Sequence, residues 1–223
     1  MFFTEDTFEK AVLEIFENLG YTRLYGPDLA RDYGSPLLES VLRESLVRLN
    51  RGLPAEAIAE AIAKLRDFGG GSLLKKNMAF MEYLQNGVPV RYFVNGEERN
   101  VIVYLIDHQN VDRNCFYAVN QFTYIENGNN RRPDIVLFVN GLPLVIIELK
   151  SPSKDEVGAE NAFHQIRNYM QDVPGIFHYN AICVISDLST NKVGTITSGF
   201  DRFMEWKTKD GNYENPCLLY TSP

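Results

Sequence analysis

Residues 131–152 read RRPDIVLFVNGLPLVIIELKSP. Two apolar runs in this stretch, IVLFV (135–139) and LVIIEL (144–149), flank Asn140 and Gly141. An Asn-Gly pair between apolar runs favours a tight turn that joins two antiparallel strands. Strands made of Val, Ile and Leu are usually covered on both faces. The stretch therefore predicts two neighbouring strands in the interior of a sheet.

The same stretch carries charge where an interior strand would be apolar. Asp134 opens the first strand directly after Pro133, and Glu148 and Lys150 flank Leu149 at the end of the second. Residues two apart on a strand point to the same face, so Glu148 and Lys150 share a side. The turn between the strands brings Asp134 towards them. A buried carboxylate is costly unless it is paired or binds a metal.

Two carboxylates beside an ammonium group suit phosphodiester hydrolysis. Carboxylate oxygens hold Mg²⁺, which neutralises phosphate and acidifies a bound water, and a lysine can orient that water or stabilise charge on the phosphate oxygens. A structural interpretation stays open on the residues alone. Asp134 could cap a turn after proline, and Glu148 and Lys150 could form an ion pair at a strand end.

Outward from this stretch, the spacing of apolar residues predicts helices first and strands later. Thr4 precedes the acidic residues Glu5 and Asp6, and helical spacing continues until Gly20, which predicts an N-terminal amphipathic helix. Further helices are predicted over 38–49, 54–68, 73–84 and 160–171. Strands are predicted over 90–94 and 100–106 around an Asn-Gly turn, over 115–125 as one long strand, and over 180–186 and 193–197, with a short helix around Phe203.

Composition bounds the class of protein. The chain has 223 residues, 45% hydrophobic and 23% charged, and a formal net charge of -7, which excludes disordered and fibrous proteins. The first residues are acidic where a signal peptide has a basic start and an unbroken apolar stretch. No apolar run is long enough to span a membrane, so we expect a cytoplasmic protein. Cys115, Cys183 and Cys217 are expected to be reduced thiols, two of them buried in strands. The negative charge predicts weak binding of duplex DNA by the isolated chain.

Four smaller features have both a structural and a functional interpretation. Gln165 and Tyr169 are four apart on one helix face. They either pack, or contact DNA phosphate or brace the metal ligands. His164 is interpreted as a surface or packing residue, because the chain's histidines have no metal-ligand spacing. For Glu5 and Glu9, capping and solvated-face roles are favoured over a carboxylate that assists catalysis. Arg131 and Arg132 are either phosphate contacts or part of a solvated turn.

The string of residues 131–152, preceded by VNQF (119–122) and followed by FHQIRNY (163–169), resembles the N-terminal nuclease domain of the type I restriction enzyme R (motor) subunit, within the PD-(D/E)xK nuclease superfamily. TEDTFEKAVLEIFENLGY (4–21) and GFDRFMEWK (199–207) are also similar to the flanking segments of that family. The resemblance covers most of the chain and is weakest over the helices from 37 to 84.

The resemblance implies a fold and a site. The fold is α/β, a restriction-endonuclease-like core with a central mixed sheet flanked by helices, here with an N-terminal helical insert over about 37–86. The implied catalytic residues are Asp134, Glu148 and Lys150, with Mg²⁺ (or Mn²⁺) on Asp134, Glu148 and the main-chain carbonyl of Leu149. Gln165 and Tyr169 match a Q-x-x-x-Y element that contacts DNA or supports the metal ligands.

The resemblance also implies partners. Double-stranded DNA would be the substrate, cut without sequence readout by this domain, and methylation and specificity subunits would complete the complex. We expect residues 1–200 to form the nuclease domain and 201–223 to begin a linker to helicase lobes that this chain lacks, so that ATP acts only in a full-length subunit. Two alternatives stay open: another PD-(D/E)xK repair or recombination nuclease, and a catalytically inert DNA-binding or assembly module.

Overall fold

The computed structural model describes residues 4–94, 96–150, 157–187 and 190–205. Within them the protein is α/β. The helices are α1 (Glu5–Asn18), α2 (Glu39–Leu49), α3 (Ala55–Arg66), α4 (Leu73–Asn86), α5 (Val157–Asp172) and α6 (Pro174–Phe177). The strands are β1 (Thr22–Tyr25), β2 (Val88–Val94), β3 (Glu97–Val103), β4 (Phe116–Asn120), β5 (Tyr124–Glu126), β6 (Asn129–Arg131), β7 (Ile135–Val139), β8 (Leu142–Leu149), β9 (Ile182–Ser186), β10 (Asn191–Gly194) and β11 (Met204–Glu205).

Seven strands form a mixed central sheet in the order β1-β4-β7-β8-β9-β10-β11. The β1–β4 and β8–β9 pairs are parallel and the other pairs are antiparallel. The strands β7 and β8 predicted from residues 131–152 occupy the middle of this sheet. Asn140 and Gly141 both have left-handed backbone angles at the turn that joins them, as an Asn-Gly hairpin turn requires.

Helix α1 covers one face of the central sheet. Thr4 caps it, because its hydroxyl accepts a hydrogen bond from the Thr7 amide at 3.3 Å. The apolar stripe of the helix packs on side chains of β4, β7 and β8 that point to this face: Phe8, Val12, Leu13 and Phe16 against Ala118, Ile135, Leu137, Ile147 and Leu149. The predicted N-terminal helix and its buried stripe are confirmed.

Helix α5 covers the opposite face. The alternate residues of the same strands point to it and share a buried cluster with the helix, including Val119, Val136 and Ile146 from the sheet and Ala162, Ile166 and Tyr169 from the helix. The sheet is thus covered on both sides, as the apolar composition of β7 and β8 predicts. Asp134 and Glu148 alternate with residues of the α1 face, so both side chains lie on the α5 side.

The helices α2, α3 and α4 and the β2–β3 hairpin form a third packed region. Their apolar side chains share a buried cluster with Leu142 and Leu144 of β8. The region therefore packs against the end of β8 that begins at the Asn140–Gly141 turn. The predicted bounds of a helical insert over 37–86, and of the domains 1–200 and 201–223, stay predictions, and most of 201–223 lies outside the described residues.

Three predicted elements differ from the structure. The expected long strand over 115–125 is wrong, because Gln121 adopts a left-handed backbone angle of φ 56° and divides it into β4 and β5, which belong to different sheets. The expected helix around Phe203 is a 3₁₀ turn over Phe200–Arg202, followed by the edge strand β11. The strand predicted over 193–197 is β10, which ends at Gly194.

Two further expectations concern membranes and thiols. Over the described part of the chain, no helix has the length and apolar character that crossing a membrane requires. Cys183 is a free, buried thiol in β9, as predicted, whereas Cys115 is free but half-buried and lies just before β4. Cys217 lies outside the described residues.

Candidate active site

The site begins with the register of β7 and β8. Ile135 pairs with Ile147, which places Asp134, one residue before β7, across from Glu148. The Asp134 carboxylate accepts a hydrogen bond from the Leu149 amide at 2.8 Å. The main-chain amide of Gln121, at the end of β4, donates to the Asp134 carbonyl at 2.9 Å. Asp134 is therefore held at both its backbone and its side chain.

Glu148 is fully buried, with 0% of its surface exposed. One carboxylate oxygen, Oε1, accepts a hydrogen bond from Lys150 Nζ at 3.0 Å. The other, Oε2, is buried and has no hydrogen-bond partner among the described residues. A buried carboxylate oxygen without a partner is costly in free energy, so its position calls for a ligand that the described residues do not supply.

The surroundings raise the pKa of both carboxyl groups. Burial, followed by the nearby Asp134 carboxylate, raises the pKa of Glu148 to about 8. Burial likewise raises the pKa of Asp134 to about 6, although the hydrogen bond from Leu149 and the charge of Lys150 oppose it. Both carboxyl groups therefore bind a proton more readily than exposed carboxyl groups do.

Lys150 supplies one positive charge to the pair. Its ammonium group is 3.0 Å from Glu148 Oε1 and 3.9 Å from Glu5 Oε1 of helix α1. Burial lowers the pKa of Lys150, but the adjacent carboxylates outweigh burial and raise it overall. Lys150 is therefore an ammonium donor, and the predicted sharing of one face by Glu148 and Lys150 is confirmed.

The main chain of Leu149 adds an oxygen to this position. The Leu149 amide points to Asp134, and in an extended strand the amide and carbonyl of one residue point to the same side. The Leu149 carbonyl accordingly points towards the Asp134 side, beyond the start of β7. Within the described ranges, no group of three or more His, Cys, Asp or Glu side chains is placed to hold a metal.

The oxygen atoms at this position are of the kind that bind Mg²⁺. Magnesium is commonly bound by one or two carboxylates, with waters and substrate phosphate completing its octahedral shell. Asp134 and Glu148, with the Leu149 carbonyl, offer such an incomplete set, and the unpartnered Glu148 Oε2 is the observation that supports the fit.

Gln165 and Tyr169 meet on helix α5. Gln165 Nε2 donates a hydrogen bond to the Tyr169 hydroxyl at 2.5 Å. The Tyr169 ring is buried in the core between α5 and the sheet. Burial raises the pKa of the Tyr169 hydroxyl, and the charge of Glu148 raises it further. The structure thus supports packing for the ring and a role near the site for the polar atoms.

The sequence interpretation missed a cluster of amide side chains that joins helix α1 to the site. Glu9 accepts hydrogen bonds from Asn120 Nδ2 at 2.8 Å and from Gln121 Nε2 at 2.6 Å. These bonds hold Gln121 in its left-handed conformation, from which its main chain binds Asp134. Glu9 therefore belongs to the support of the site, and solvation was the wrong interpretation for it. The signal was the Asn120-Gln121 pair in the middle of the strand predicted over 115–125.

The remaining candidate residues differ in whether they are already paired with another side chain. Arg131 is bound by the Asp172 carboxylate, at 2.8 Å from Nε and 2.5 Å from Nη2, so its charge is already partly neutralised. Arg132 is exposed. His164 is exposed and lies 3.7 Å from Glu160, as a surface residue would. Glu5 approaches Lys150 and also lies in the acidic first turn of α1.

The raised pKa of Glu148 predicts a stability effect in metal-free protein. A pKa raised from 4.5 to about 8 means that folding favours the protonated form. The contribution to stability is therefore complete below pH 4.5 and is lost as the pH rises through 8. Glu148→Gln cannot ionise, so at pH 8.5 with EDTA it should melt about 2–4 °C above wild type, the effect of about 1 kcal/mol in a domain of this size.

The comparison at a second pH tests that explanation. At pH 4.5 the two proteins should melt together, because wild-type Glu148 is then protonated. Glu60→Gln, an exposed site on α3, removes the same charge and should show no such pH dependence. An equal difference between Glu148→Gln and wild type at both pH values would contradict the assignment of the effect to ionisation.

The mixed sheet of seven strands lies between α1 and α5, and the acidic pair and its lysine lie at the ends of the two middle strands. This arrangement defines an α/β protein with a restriction-endonuclease-like core. The chain belongs to the family described as the type I restriction enzyme R protein N terminus, whose family model matches residues 2–202. This assignment confirms the resemblance found in residues 131–152.

Several curated proteins are similar to the chain. The HindI endonuclease subunit of a type I restriction enzyme from Haemophilus influenzae is 35% identical over 225 residues, which cover 97% of this chain and 21% of that protein. A putative MjaIXP endonuclease subunit of a type I restriction enzyme from Methanocaldococcus jannaschii is 33% identical over 208 residues, covering 89% of this chain and 20% of that protein. The chain thus spans about a fifth of the length of these relatives.

Proposed function

We propose that this chain is the Mg²⁺-dependent DNA endonuclease domain of a type I restriction enzyme R subunit, and that it hydrolyses phosphodiester bonds without reading sequence itself. The observation that carries the proposal is the buried Glu148, whose Oε2 has no partner among the described residues while Asp134 and Lys150 converge on the same position. Family membership supports the restriction system as its context.

Each residue has a distinct part in this proposal. Asp134, Glu148 and the Leu149 carbonyl would hold Mg²⁺ (or Mn²⁺), which when bound neutralises phosphate charge and acidifies a water. The hydrogen bond from the Leu149 amide orients the Asp134 carboxylate. Gln121, fastened by Glu9, keeps the start of β7 in place. Burial between α5 and the sheet excludes bulk water from the Glu148 side.

Lys150 would act on the substrate as a hydrogen-bond donor. Its ammonium group already donates to Glu148, and it is 21% exposed, so it can also reach a phosphate oxygen or the attacking water. An ammonium group in this position stabilises the negative charge that builds on the phosphate oxygens. The same group offsets the charge of Glu148 before substrate arrives.

The wider assembly is part of the proposal. The substrate is double-stranded DNA, the partners are the methylation and specificity subunits, and ATP is used by helicase lobes of a longer subunit. The printed names of the relatives, endonuclease subunits of type I restriction enzymes, support this context. A cytoplasmic location is proposed with it.

Metal binding tests the proposal directly. Isothermal titration of the purified chain with Mn²⁺ at pH 8 should show a binding event that Mg²⁺ competes for. Asp134→Asn and Glu148→Gln should each weaken it by at least about tenfold, since each removes a ligand, whereas Glu60→Gln should leave it unchanged. No binding by wild type, or binding that both site variants retain, would favour the inert nuclease-like module over the nuclease.

A further inference from the structure

A polar groove of about 520 Å³ lies between helix α5 and the chain at the end of β6. One wall is the chain at the end of β6, from Asn130 to Arg132. The other wall is helix α5, which contributes Asn161, His164 and Asn168. Gln165 and Tyr169 of the same helix also line the groove.

The α5 residues of the groove form one continuous helix face. Positions 161, 164, 165 and 168 are separated by three, four and seven residues, the spacing that aligns side chains along one side of a helix. Asn161, His164 and Asn168 are exposed, so this face is not part of the core. A stripe of amides and a histidine presents hydrogen-bond donors along the whole length of the groove.

The groove also differs from the rest of the surface in charge. The whole chain has a net charge of -7, yet none of the eight residues of the described chain that line the groove is acidic, and two are arginines. Arg131 is bound to Asp172. Arg132 is exposed and makes no hydrogen bond or ion pair within the described residues, so its guanidinium group is available to a ligand.

The groove leads to the acidic pair. Tyr169 lines the groove and packs in the core between α5 and the sheet, on the face to which the Asp134 and Glu148 side chains also point. Besides burial, the charges of Glu148 and Asp134 raise the pKa of the Tyr169 hydroxyl, which agrees with this placement. At the outer wall, only Pro133 separates Arg132 from Asp134. A strand held in the groove would thus approach the position where Asp134 and Glu148 converge.

We infer that this groove binds the sugar-phosphate backbone of the DNA strand next to the phosphate that is cut, with Arg132 on one phosphate and Asn161 and Asn168 on its neighbours. The inference rests on the proposed nuclease function. Arginine and amide side chains bind phosphate oxygens of any sequence, which agrees with a domain that does not read bases. Because only Arg132 brings an unpaired charge, the binding is weak at physiological salt and is measurable at low salt.

Two matched pairs of variants test the groove in the whole chain. Arg132→Ala is compared with Arg43→Ala, an exposed residue of α2. Leu38, the residue before α2, donates its amide to the Gly141 carbonyl, so α2 begins at the opposite end of β7 and β8 from the site. Asn168→Asp is compared with Asn100→Asp, an exposed residue of the β2–β3 hairpin. The members of each pair change the net charge equally. Binding of a fluorescent duplex oligonucleotide is measured by anisotropy at several low salt concentrations, with EDTA present.

Arg132→Ala should weaken duplex binding by about three- to tenfold and lower the salt slope by about one. Asn168→Asp should weaken it by at least about tenfold, since it places a carboxylate against phosphate. The control variants should bind as wild type does. Equal weakening within each pair, or no binding by wild type at low salt, would overturn the inference.

Mn²⁺ titration of the same variants separates this inference from the proposed function. All four should bind Mn²⁺ as wild type does, because none replaces a metal ligand. Metal binding without a selective effect of Arg132→Ala and Asn168→Asp would overturn the groove and leave the nuclease site standing. Selective loss of DNA binding in a chain that binds no Mn²⁺ would support the groove as a DNA-binding surface. It would overturn the nuclease proposal and, with it, the placement of the groove beside a phosphate that is cut.

Discussion

Alanine at Asp134, Glu148 or Lys150 is expected to reduce DNA cleavage by the assembled restriction complex to below about one-thousandth of the wild-type rate. The Asp134→Ala and Glu148→Ala variants would each lack one ligand of the metal ion. The Lys150→Ala variant would lack the ammonium group, which lies 3.0 Å from Glu148 Oε1 and is placed to stabilise charge on phosphate. No other lysine or arginine approaches Glu148 so closely among the described residues.

These variants are expected to stay folded. Burial and like charge raise the pKa of Asp134 and Glu148, so removing either acid also removes repulsion in the metal-free domain. Asp134→Ala does lose the hydrogen bond from the Leu149 amide, which costs about 1 kcal/mol and offsets part of that gain. After Lys150→Ala, Glu148 can protonate, which avoids an unpaired buried charge.

Nicking of plasmid DNA by the reconstituted complex is the measurement, with subunit assembly and ATP hydrolysis as controls. Glu60→Gln, away from the site, should cleave at the wild-type rate. Wild-type nicking by any one of the three alanine variants would remove that residue from the catalytic set.

Gln165→Ala is expected to lower cleavage by about 10- to 100-fold with little change in melting temperature. Gln165 is half-buried, and its amide donates to the Tyr169 hydroxyl at 2.5 Å. That bond orients the hydroxyl of Tyr169, a residue that lines the groove. Its loss should therefore disturb positioning at the site more than packing.

Tyr169→Phe separates the hydroxyl from the ring. The ring is buried with Ile166 and Val136, so keeping it preserves the core. If the hydroxyl acts at the site, Tyr169→Phe should lose activity about as far as Gln165→Ala does while melting as wild type does. Tyr169→Ala is the matched packing control, and it should lower stability by about 3 kcal/mol.

The two measurements distinguish the roles of the pair. Activity and melting temperature that fall together in Gln165→Ala or Tyr169→Phe would favour packing for that residue. Unchanged cleavage in both variants would exclude the pair from the site and leave Asp134, Glu148 and Lys150 to act without it.

Local features of the sequence were sufficient for the strands that carry the site. The Asn140–Gly141 turn joins β7 to β8 as predicted, and the two-residue period of a strand puts Glu148 and Lys150 on one side. The N-terminal helix was also predictable, since Thr4 and Gly20 mark its ends and its apolar stripe has helical spacing. Each of these rules relates residues that are close in the chain.

Elements stabilised by distant partners were not predictable in the same way. The strand β1 is short and mostly exposed, and it exists because it pairs with β4, more than ninety residues later. The break of the predicted strand at Gln121 depends on Glu9, which binds the Gln121 side chain. A left-handed residue other than glycine is unfavourable, and here distant hydrogen bonds hold it.

The sequence by itself determined the class of fold, the two middle strands and the identity of the acidic pair with its lysine. Only the tertiary structure decided that Glu148 is buried with an unpartnered oxygen, that Glu9 supports Gln121, and that Arg131 is occupied by Asp172 while Arg132 faces a groove. The physical reason is that periodicity and turn propensity act over a few residues. Burial, charge and hydrogen bonding at a site depend on whichever elements the fold packs around it, and α1, β4 and α5 come from three separate parts of the chain.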